Sequence, residues 1–161
     1  MKKLIVTMLV VAAALAVPYS AKAIEDPFEK GTLIYGLQAG YFPYFGGTMY
    51  GDYVLVDSWW KGHFTVGAQL GYMAYNSFHH NFLSVAPRVT YGLNITEKFE
   101  VHAGVLLGLG AIISHGDTHL GLSYGGVTGL RLFFTDALAL SAEFNYTGYS
   151  PYFNVGLAFK F

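Results

Sequence analysis

The chain has 161 residues, no cysteine and a formal net charge of −1, and 12% of its residues are charged while 17% are aromatic. This length suits one domain. The lack of cysteine excludes a disulfide framework, and the near-neutral charge offers no basic surface to a nucleic-acid partner.

The first 23 residues have the pattern of a secretory signal peptide. Two lysines precede the apolar stretch Leu4–Val17, and Ala21-Lys22-Ala23 matches a small-residue cleavage site. A membrane-anchor helix is the alternative, but the apolar run is shorter than the roughly 20 residues that span a bilayer. We predict cleavage after Ala23, which leaves residues 24–161 as the folded domain.

Beyond Gly31 the chain consists of segments of about ten residues in which apolar residues alternate with small or polar ones, separated by turn residues. This period of two is typical of the strands of a membrane β-barrel. The second segment alternates least clearly, and Thr135-Asp136 is predicted to be a tight turn. The eight predicted strands are Thr32–Phe42, Tyr50–Asp57, His63–Tyr75, Leu83–Leu93, Phe99–Leu109, Leu120–Phe133, Leu138–Tyr146 and Tyr152–Phe161. An even number of strands puts both chain ends on one side, which we assign to the periplasm.

Pro87 is the awkward residue of the fourth segment, because proline has no N–H to donate to a ladder. We expect a bulge or a local defect there.

The last segment ends the chain on an aromatic residue. One face of it carries five apolar side chains, namely Phe153, Val155, Leu157, Phe159 and Phe161. This pattern resembles the terminal assembly signal of bacterial outer-membrane β-barrels.

A soluble barrel of the lipocalin kind would also have eight alternating strands. The polar face separates the two classes, since it consists mainly of Gly, Ser, Thr, Ala, Gln and Asn with few charges. A water-facing surface should be about a quarter or more charged. Such a face suits the crowded interior of a narrow barrel, so the apolar face is predicted to contact lipid.

Aromatic residues are predicted to form two girdles at the two membrane interfaces. The girdle at the periplasmic end comprises Trp59, Trp60, Phe99, Phe133, Phe134, Phe159 and Phe161. The girdle at the opposite end comprises Tyr41, Tyr44, Phe45, Tyr72, Tyr75, Phe78, Phe82, Tyr146, Tyr149 and Tyr152.

With its signal peptide, eight segments and terminal Phe161, the chain resembles the small OmpA/OmpX-type barrels and the opacity-type surface proteins. The resemblance implies an all-β fold, an eight-stranded antiparallel up-and-down transmembrane barrel in the outer membrane of a Gram-negative-type bacterium. It also implies contact with outer-membrane lipid and lipopolysaccharide, and recognition of the C-terminal strand by the outer-membrane assembly machinery. No family-specific motif adds a function.

Seven ionisable residues are predicted to face the lumen: Asp52, Arg88, Glu100, His102, Arg131, Glu143 and Lys160. Glu100 and Arg131 should be neighbours near the periplasmic end, while Arg88 and Glu143 lie at mid-height on their strands, where they could meet across the lumen. One interpretation is a gated polar pathway. We favour a plug of salt bridges that organises the core, because enclosed charges are costly unless they are paired.

Histidines in two predicted loops raise a second hypothesis, a metal such as zinc. His79-His80 lies in one loop and Ser114–His119 contains two more histidines. Neither loop has tight ligand spacing, so we predict no metal and no cofactor.

An enzyme is the third hypothesis. Small barrels of the lipid A deacylase type carry a His-x-Ser motif with a downstream Glu, and this chain lacks that motif. The nearest set is His119, Ser123 and Glu143. At about 3.3 Å per residue the first two stand roughly 13 Å apart along one strand, with Glu143 opposite about Val127, whereas a working triad needs contacts of about 3 Å.

The four predicted outer loops, Pro43–Met49, Asn76–Phe82, Ala111–His119 and Gly148–Pro151, are short and weaken the hypothesis of a large adhesin. We therefore predict a monomeric, non-enzymatic barrel, plugged by polar side chains, with a structural or surface-interaction role. A lipid A-remodelling enzyme and a narrow, porin-like channel for small solutes stay open as alternatives.

Overall fold

The computed structural model describes residues 28–60, 62–75, 80–114 and 117–161, and the predicted signal peptide lies outside them. The regular elements of these ranges are the strands β1 (Leu33–Tyr41), β2 (Phe45–Trp59), β3 (Gly62–Tyr75), β4 (His80–Thr96), β5 (Phe99–Ser114), β6 (Asp117–Phe133), β7 (Leu138–Tyr146) and β8 (Phe153–Lys160). In the described part of the chain, no helix has the length and apolar character to cross a bilayer.

The strands form a closed barrel in sequence order, in which each strand pairs antiparallel with its neighbours and β8 pairs with β1. The predicted eight-stranded antiparallel up-and-down barrel is confirmed. The predicted strand ends were too conservative. β2 already begins at Phe45, β4 at His80 and β6 at Asp117, while β5 continues to Ser114. Pairing with neighbouring strands outweighs the weak local pattern at these ends, so three of the predicted outer loops are shorter than expected.

The barrel is apolar outside and polar inside. Along β1, Leu37 is 65% exposed while the next residue, Gln38, is 3% exposed, and the alternation runs through the whole strand. In water, a barrel with this pattern would expose a continuous apolar belt to solvent. In a membrane, the same belt contacts the hydrocarbon chains of the lipid. The predicted outward direction of the apolar face is therefore confirmed.

Pro87 points outward on β4 and is paired with Ala68 of β3. The ladder from β4 to β5 is interrupted at Ala86 and Pro87, and it resumes at Arg88 in the register that it had at Val85. The missing N–H thus causes a local defect without inserting a residue.

Aromatic side chains cluster at the end where the chain termini meet. The ring centroid of Phe64 lies 4.5 Å from that of Trp59 and 4.9 Å from that of Tyr91. The Tyr91 hydroxyl donates to the carbonyl oxygens of Trp59 and Trp60 at 3.0 Å. Phe133 departs from the predicted girdle because it points into the barrel, where it is 7% exposed.

Side chains fill both ends of the lumen. At the terminal end, the buried Phe28 packs against Phe133. Both belong to an apolar cluster that also includes Tyr50, and we call its other members the terminal plug: Phe28, Ile34, Val54, Phe133, Ala139 and Ala158. At the opposite end, the β7–β8 connection folds inward and buries Ser150 and Pro151. The Tyr149 side chain in this connection stands over Gly110 and Gly121.

Candidate functional site

Between the two filled ends lies a cluster of ionisable side chains, which we call the lumen network. It is contributed by five strands, and each member is at most 3% exposed: Asp52, Arg88, Glu100, His102, Arg131 and Glu143. All six were predicted to face the lumen. Their alternation with outward apolar residues places them there.

Glu100 and Arg131 are directly opposite each other in the β5–β6 ladder. Arg131 Nη1 donates to both carboxylate oxygens of Glu100, at 2.9 and 3.1 Å. Its other terminal nitrogen, Nη2, donates to Asp52 Oδ2 at 3.2 Å. Arg131 therefore joins strands β2, β5 and β6 from inside the barrel.

Arg88 and Glu143 meet across the lumen although their strands are not neighbours. Arg88 Nη2 donates to Glu143 Oε1 at 3.1 Å, and Nη1 donates to Gln69 Oε1 at 2.9 Å. Arg88 Nε lies 3.1 Å from Asp52 Oδ1, close enough for an ion pair although the two atoms are not aligned for a hydrogen bond. Asp52 thus stands between both guanidinium groups.

Two imidazoles also contact the carboxylates of the network. His102 Nε2 lies 2.9 Å from Glu143 Oε1, and His102 Nδ1 lies 3.7 Å from Glu100 Oε1. His63, which the sequence analysis did not include, lies 3.5 Å from Glu100 Oε1 through its Nε2. The sequence did contain a signal for His63. Phe64 was predicted to face outward, and the residue before it on the same strand must therefore face the lumen.

Tyr50 lies at the centre of the network and was also missed. Its ring centroid is 4.3 Å from the Arg88 guanidinium carbon and 5.3 Å from that of Arg131. Its hydroxyl accepts a hydrogen bond from Arg131 Nε at 3.1 Å and lies 3.1 Å from Ser141 Oγ. Tyr50 shares its parity with Asp52, which is the signal that would have identified it.

Lys160, the seventh residue predicted to face the lumen, lies apart from the lumen network. Its Nζ lies 5.3 Å from the centroid of the Phe28 ring and 5.4 Å from that of Phe133, at the terminal plug. The five residues of the predicted assembly signal lie on the outer surface, where they are exposed: Phe153, Val155, Leu157, Phe159 and Phe161.

The structure does not assemble a hydrolase triad from the residues that the sequence suggested. His119 is exposed near one end of β6, whereas Ser123 is buried. Glu143 is paired with Gly129 rather than with Val127, and its carboxylate is engaged by Arg88 and His102. A nucleophile and its base need direct contact. His119 and Ser123 lie apart on β6, and Glu143 is already bound to other side chains.

Within the described ranges, no group of three or more His, Asp or Glu side chains is arranged so that it could hold a metal ion. His79 and His115 of the metal hypothesis lie outside those ranges.

A glycine makes room for the central tyrosine, and this leads to a prediction. A methyl group at Gly36 would overlap the buried Tyr50 ring, which Arg88 prevents from moving away. We expect Gly36→Ala to lower the free energy of unfolding by about 1–3 kcal/mol through overpacking. Gly148→Ala is the control, since nothing lies within 4 Å of the added carbon. Equal urea midpoints for the two variants in detergent would contradict the prediction.

The comparisons with known proteins concern fold only. No protein family and no curated protein matches the chain in sequence. A de novo designed transmembrane β-barrel aligns with a TM-score of 0.54 and 17% identity, covering 83% of this chain and 98% of the design.

Two natural proteins align less closely. Neisserial surface protein A has a TM-score of 0.49 and 14% identity over 80% of this chain and 92% of its own. The N-terminal β-barrel domain of Pseudomonas aeruginosa OprF has a TM-score of 0.48 and 18% identity, over 83% of this chain and 98% of its own. Its apolar side chains face outward, its polar side chains face the lumen, and its eight strands close into a barrel. The chain therefore has the fold of the small eight-stranded transmembrane β-barrels.

Proposed function

We propose that the protein is an integral outer-membrane β-barrel with a structural or surface-interaction role, that side chains close its lumen, and that it carries no catalysis. The observation that supports this most strongly is the buried lumen network. Its charges contact one another instead of facing a water-filled path.

The exposure of the network argues against a solute channel. Arg88 and Arg131, the largest side chains of the interior, are 1% and 0% exposed, and Tyr50 between them is 1% exposed. A continuous water path at this level would leave some of this surface accessible. An eight-stranded barrel is just wide enough for side chains to fill, and the two filled ends add further barriers.

The same contacts argue against hydrolysis. Glu143 is the best candidate for an acid or base, yet its carboxylate is held by an arginine and a histidine deep in the barrel. A lipid substrate would have to displace buried, paired charges to reach it. We therefore assign Glu143 to the stability of the barrel.

The exterior supports the proposed location. Its apolar belt suits bilayer lipid, with lipopolysaccharide as the outer surround, and the monomeric barrel closes on itself without needing a second copy. The outward alternation of β8 suits recognition by the outer-membrane assembly machinery after export directed by the predicted signal peptide.

Conductance tests the closed lumen. We expect purified protein in planar bilayers to show little or no steady current at voltages at which a porin in the same bilayers conducts. Reproducible single-channel steps from a verified monomer would contradict the proposal, and a narrow channel for small solutes would then be the better interpretation.

A further inference from the structure

A small cleft of about 110 Å³ opens beside the terminal plug, at the end of the barrel where the chain termini meet. We call it the terminal cleft. The β4–β5 turn, the β6–β7 turn and the end of β8 form its walls, which include Glu97, Lys98, Phe133, Asp136 and Lys160. Its volume equals that of roughly four water molecules, so it suits one or two small polar groups rather than a folded domain.

Lys160 gives the inner part of the terminal cleft a positive charge. This lysine is half-buried, and its Nζ lies 5.3 Å from the centroid of the Phe28 ring and 5.4 Å from that of Phe133. Glu97 and Asp136, in contrast, are exposed residues of the two turns. Water screens a half-buried charge less than an exposed one, so the inner part of the cleft attracts a carboxylate.

The chain that precedes Phe28 starts next to this cleft. Phe28 is fully buried and packs against Phe133 of the cleft wall, with ring centroids 5.6 Å apart. This step rests on the proposed function, in which residues 1–23 are removed during export. The residues that then precede Phe28 are Ile24, Glu25, Asp26 and Pro27.

This short segment has the charge and the length to reach the cleft lysines. Two of its four residues, Glu25 and Asp26, are acidic. A proline disfavours the helical region for the residue before it, so Pro27 favours an extended Asp26. At about 3.3–3.6 Å per residue, the Cα atoms of both acidic residues lie within roughly 11 Å of that of Phe28.

The covalent link to Phe28 favours this segment over any free occupant. A tether of two or three residues gives the acidic side chains an effective concentration on the order of millimolar at the cleft. A dissolved ligand with the same charges would have to exceed that concentration to displace them. Length, charge and point of attachment therefore all fit the terminal cleft.

We propose that residues 24–27 dock in the terminal cleft, where their two carboxylates pair with Lys160 and Lys98. Asp26 is nearer to the buried Phe28 and pairs with the half-buried Lys160. Glu25 pairs with Lys98 at the rim. Both lysines donate charge-assisted hydrogen bonds in this arrangement, and both pairs are weakened by salt because water reaches the rim of the cleft.

Docking fixes the aromatic side chain that closes this end of the lumen. The Phe28 ring packs on the imidazole of His63, with centroids 4.3 Å apart. His63 Nε2 in turn lies 3.5 Å from Glu100 Oε1 of the lumen network. The N-terminal segment therefore acts as a clamp on the terminal plug, and two successive contacts connect it to the network.

Carbodiimide coupling of the purified barrel in lipid nanodiscs tests the docking, because this reagent joins a carboxylate to an amine only where the two are in contact. A loose tail would couple mainly to Lys30, which is exposed and only four residues after Asp26. We expect mass spectrometry to find the two carboxylates joined to the cleft lysines at least about fivefold more often than to Lys30. Coupling in the cleft should fall severalfold at about 1 M NaCl.

Two substitutions of Lys160 separate docking from mere proximity, and both are read at Lys98. Neither arginine nor methionine can be coupled, but only arginine keeps the inner positive charge. Lys160→Met should therefore give about threefold less coupling at Lys98 than Lys160→Arg, as for the loss of one partly exposed ion pair. Glu29→Gln is the control on the acidic side, since Glu29 is exposed and follows Phe28. It should leave coupling in the cleft unchanged.

Equal coupling at Lys98 in the two Lys160 variants would overturn the proposal, and so would coupling directed mainly to Lys30. These outcomes are separate from a failure of the proposed function. Single-channel steps would remove the closed-lumen role whatever the N-terminal segment does. Loss of selective coupling in a non-conducting barrel would remove only the docked segment.

Discussion

Replacing Arg131 with methionine is expected to lower the free energy of unfolding by about 3–5 kcal/mol, because two buried carboxylates then lose a guanidinium partner. Those carboxylates belong to Glu100 and Asp52, which accept hydrogen bonds from Arg131 at 2.9 and 3.2 Å. Glu100→Gln should also destabilise the barrel, since Arg131 would lose the carboxylate directly opposite it. Urea unfolding in detergent micelles, followed by tryptophan fluorescence, measures both changes.

The double variant tests whether the two residues act together. Glu100→Gln with Arg131→Met should lose less than the sum of the single losses, because the double variant leaves neither member of this pair as an orphan charge. Asp52 keeps Arg88 as a neighbour in all three variants. Leu140→Ala, on the outer surface, combined with Arg131→Met is the control and should be additive. Strictly additive losses for Glu100 and Arg131 would show that the two residues are not energetically coupled.

Phe161→Asp is expected to impair insertion into the outer membrane while leaving export across the inner membrane intact. Phe161 lies at the seam that closes the barrel, where its backbone exchanges two hydrogen bonds with Leu33, each at 2.9 Å. Its ring is 75% exposed and lies 6.0 Å from the Tyr35 ring. A carboxylate here would put a charge at the lipid-facing end of β8, the strand that we propose the assembly machinery recognises.

Outer-membrane yield and heat-modifiable migration on gels measure this effect. Phe134→Asp is the matched control, because Phe134 is an exposed aromatic residue at the same end of the barrel but belongs to the β6–β7 turn. We expect a severalfold loss of yield for Phe161→Asp and a small change for Phe134→Asp. Normal yield and normal migration of Phe161→Asp would show that the terminal residue is not part of an assembly signal.

Local pattern predicted much of this architecture because a strand has a side-chain period of two. Once the outward residues of a segment were identified, every second residue between them had to face the lumen. The same rule turns Tyr50 and His63 inward, since Tyr50 lies two residues before Asp52 and His63 precedes the outward Phe64, although neither was among the predicted lumen residues. The placement of Glu143 failed by two residues: it was predicted opposite about Val127 and lies opposite Gly129, because the ladder pairs Phe133 with Ala139.

The amino-acid sequence by itself determined the number of strands, their direction, the face of most residues and the Glu100–Arg131 pair, all of which depend on local alternation or on one short turn. Position along the strands put Arg88 and Glu143 at one level of the barrel, but the tertiary structure decided that they are in contact. Arg88 and Glu143 are 55 residues apart on strands that are not neighbours, and only barrel closure brings them together. The extension of β6 beyond β7 was likewise decided by the tertiary structure. It depends on how far each strand rises relative to the next, a relation between distant segments that no local pattern encodes.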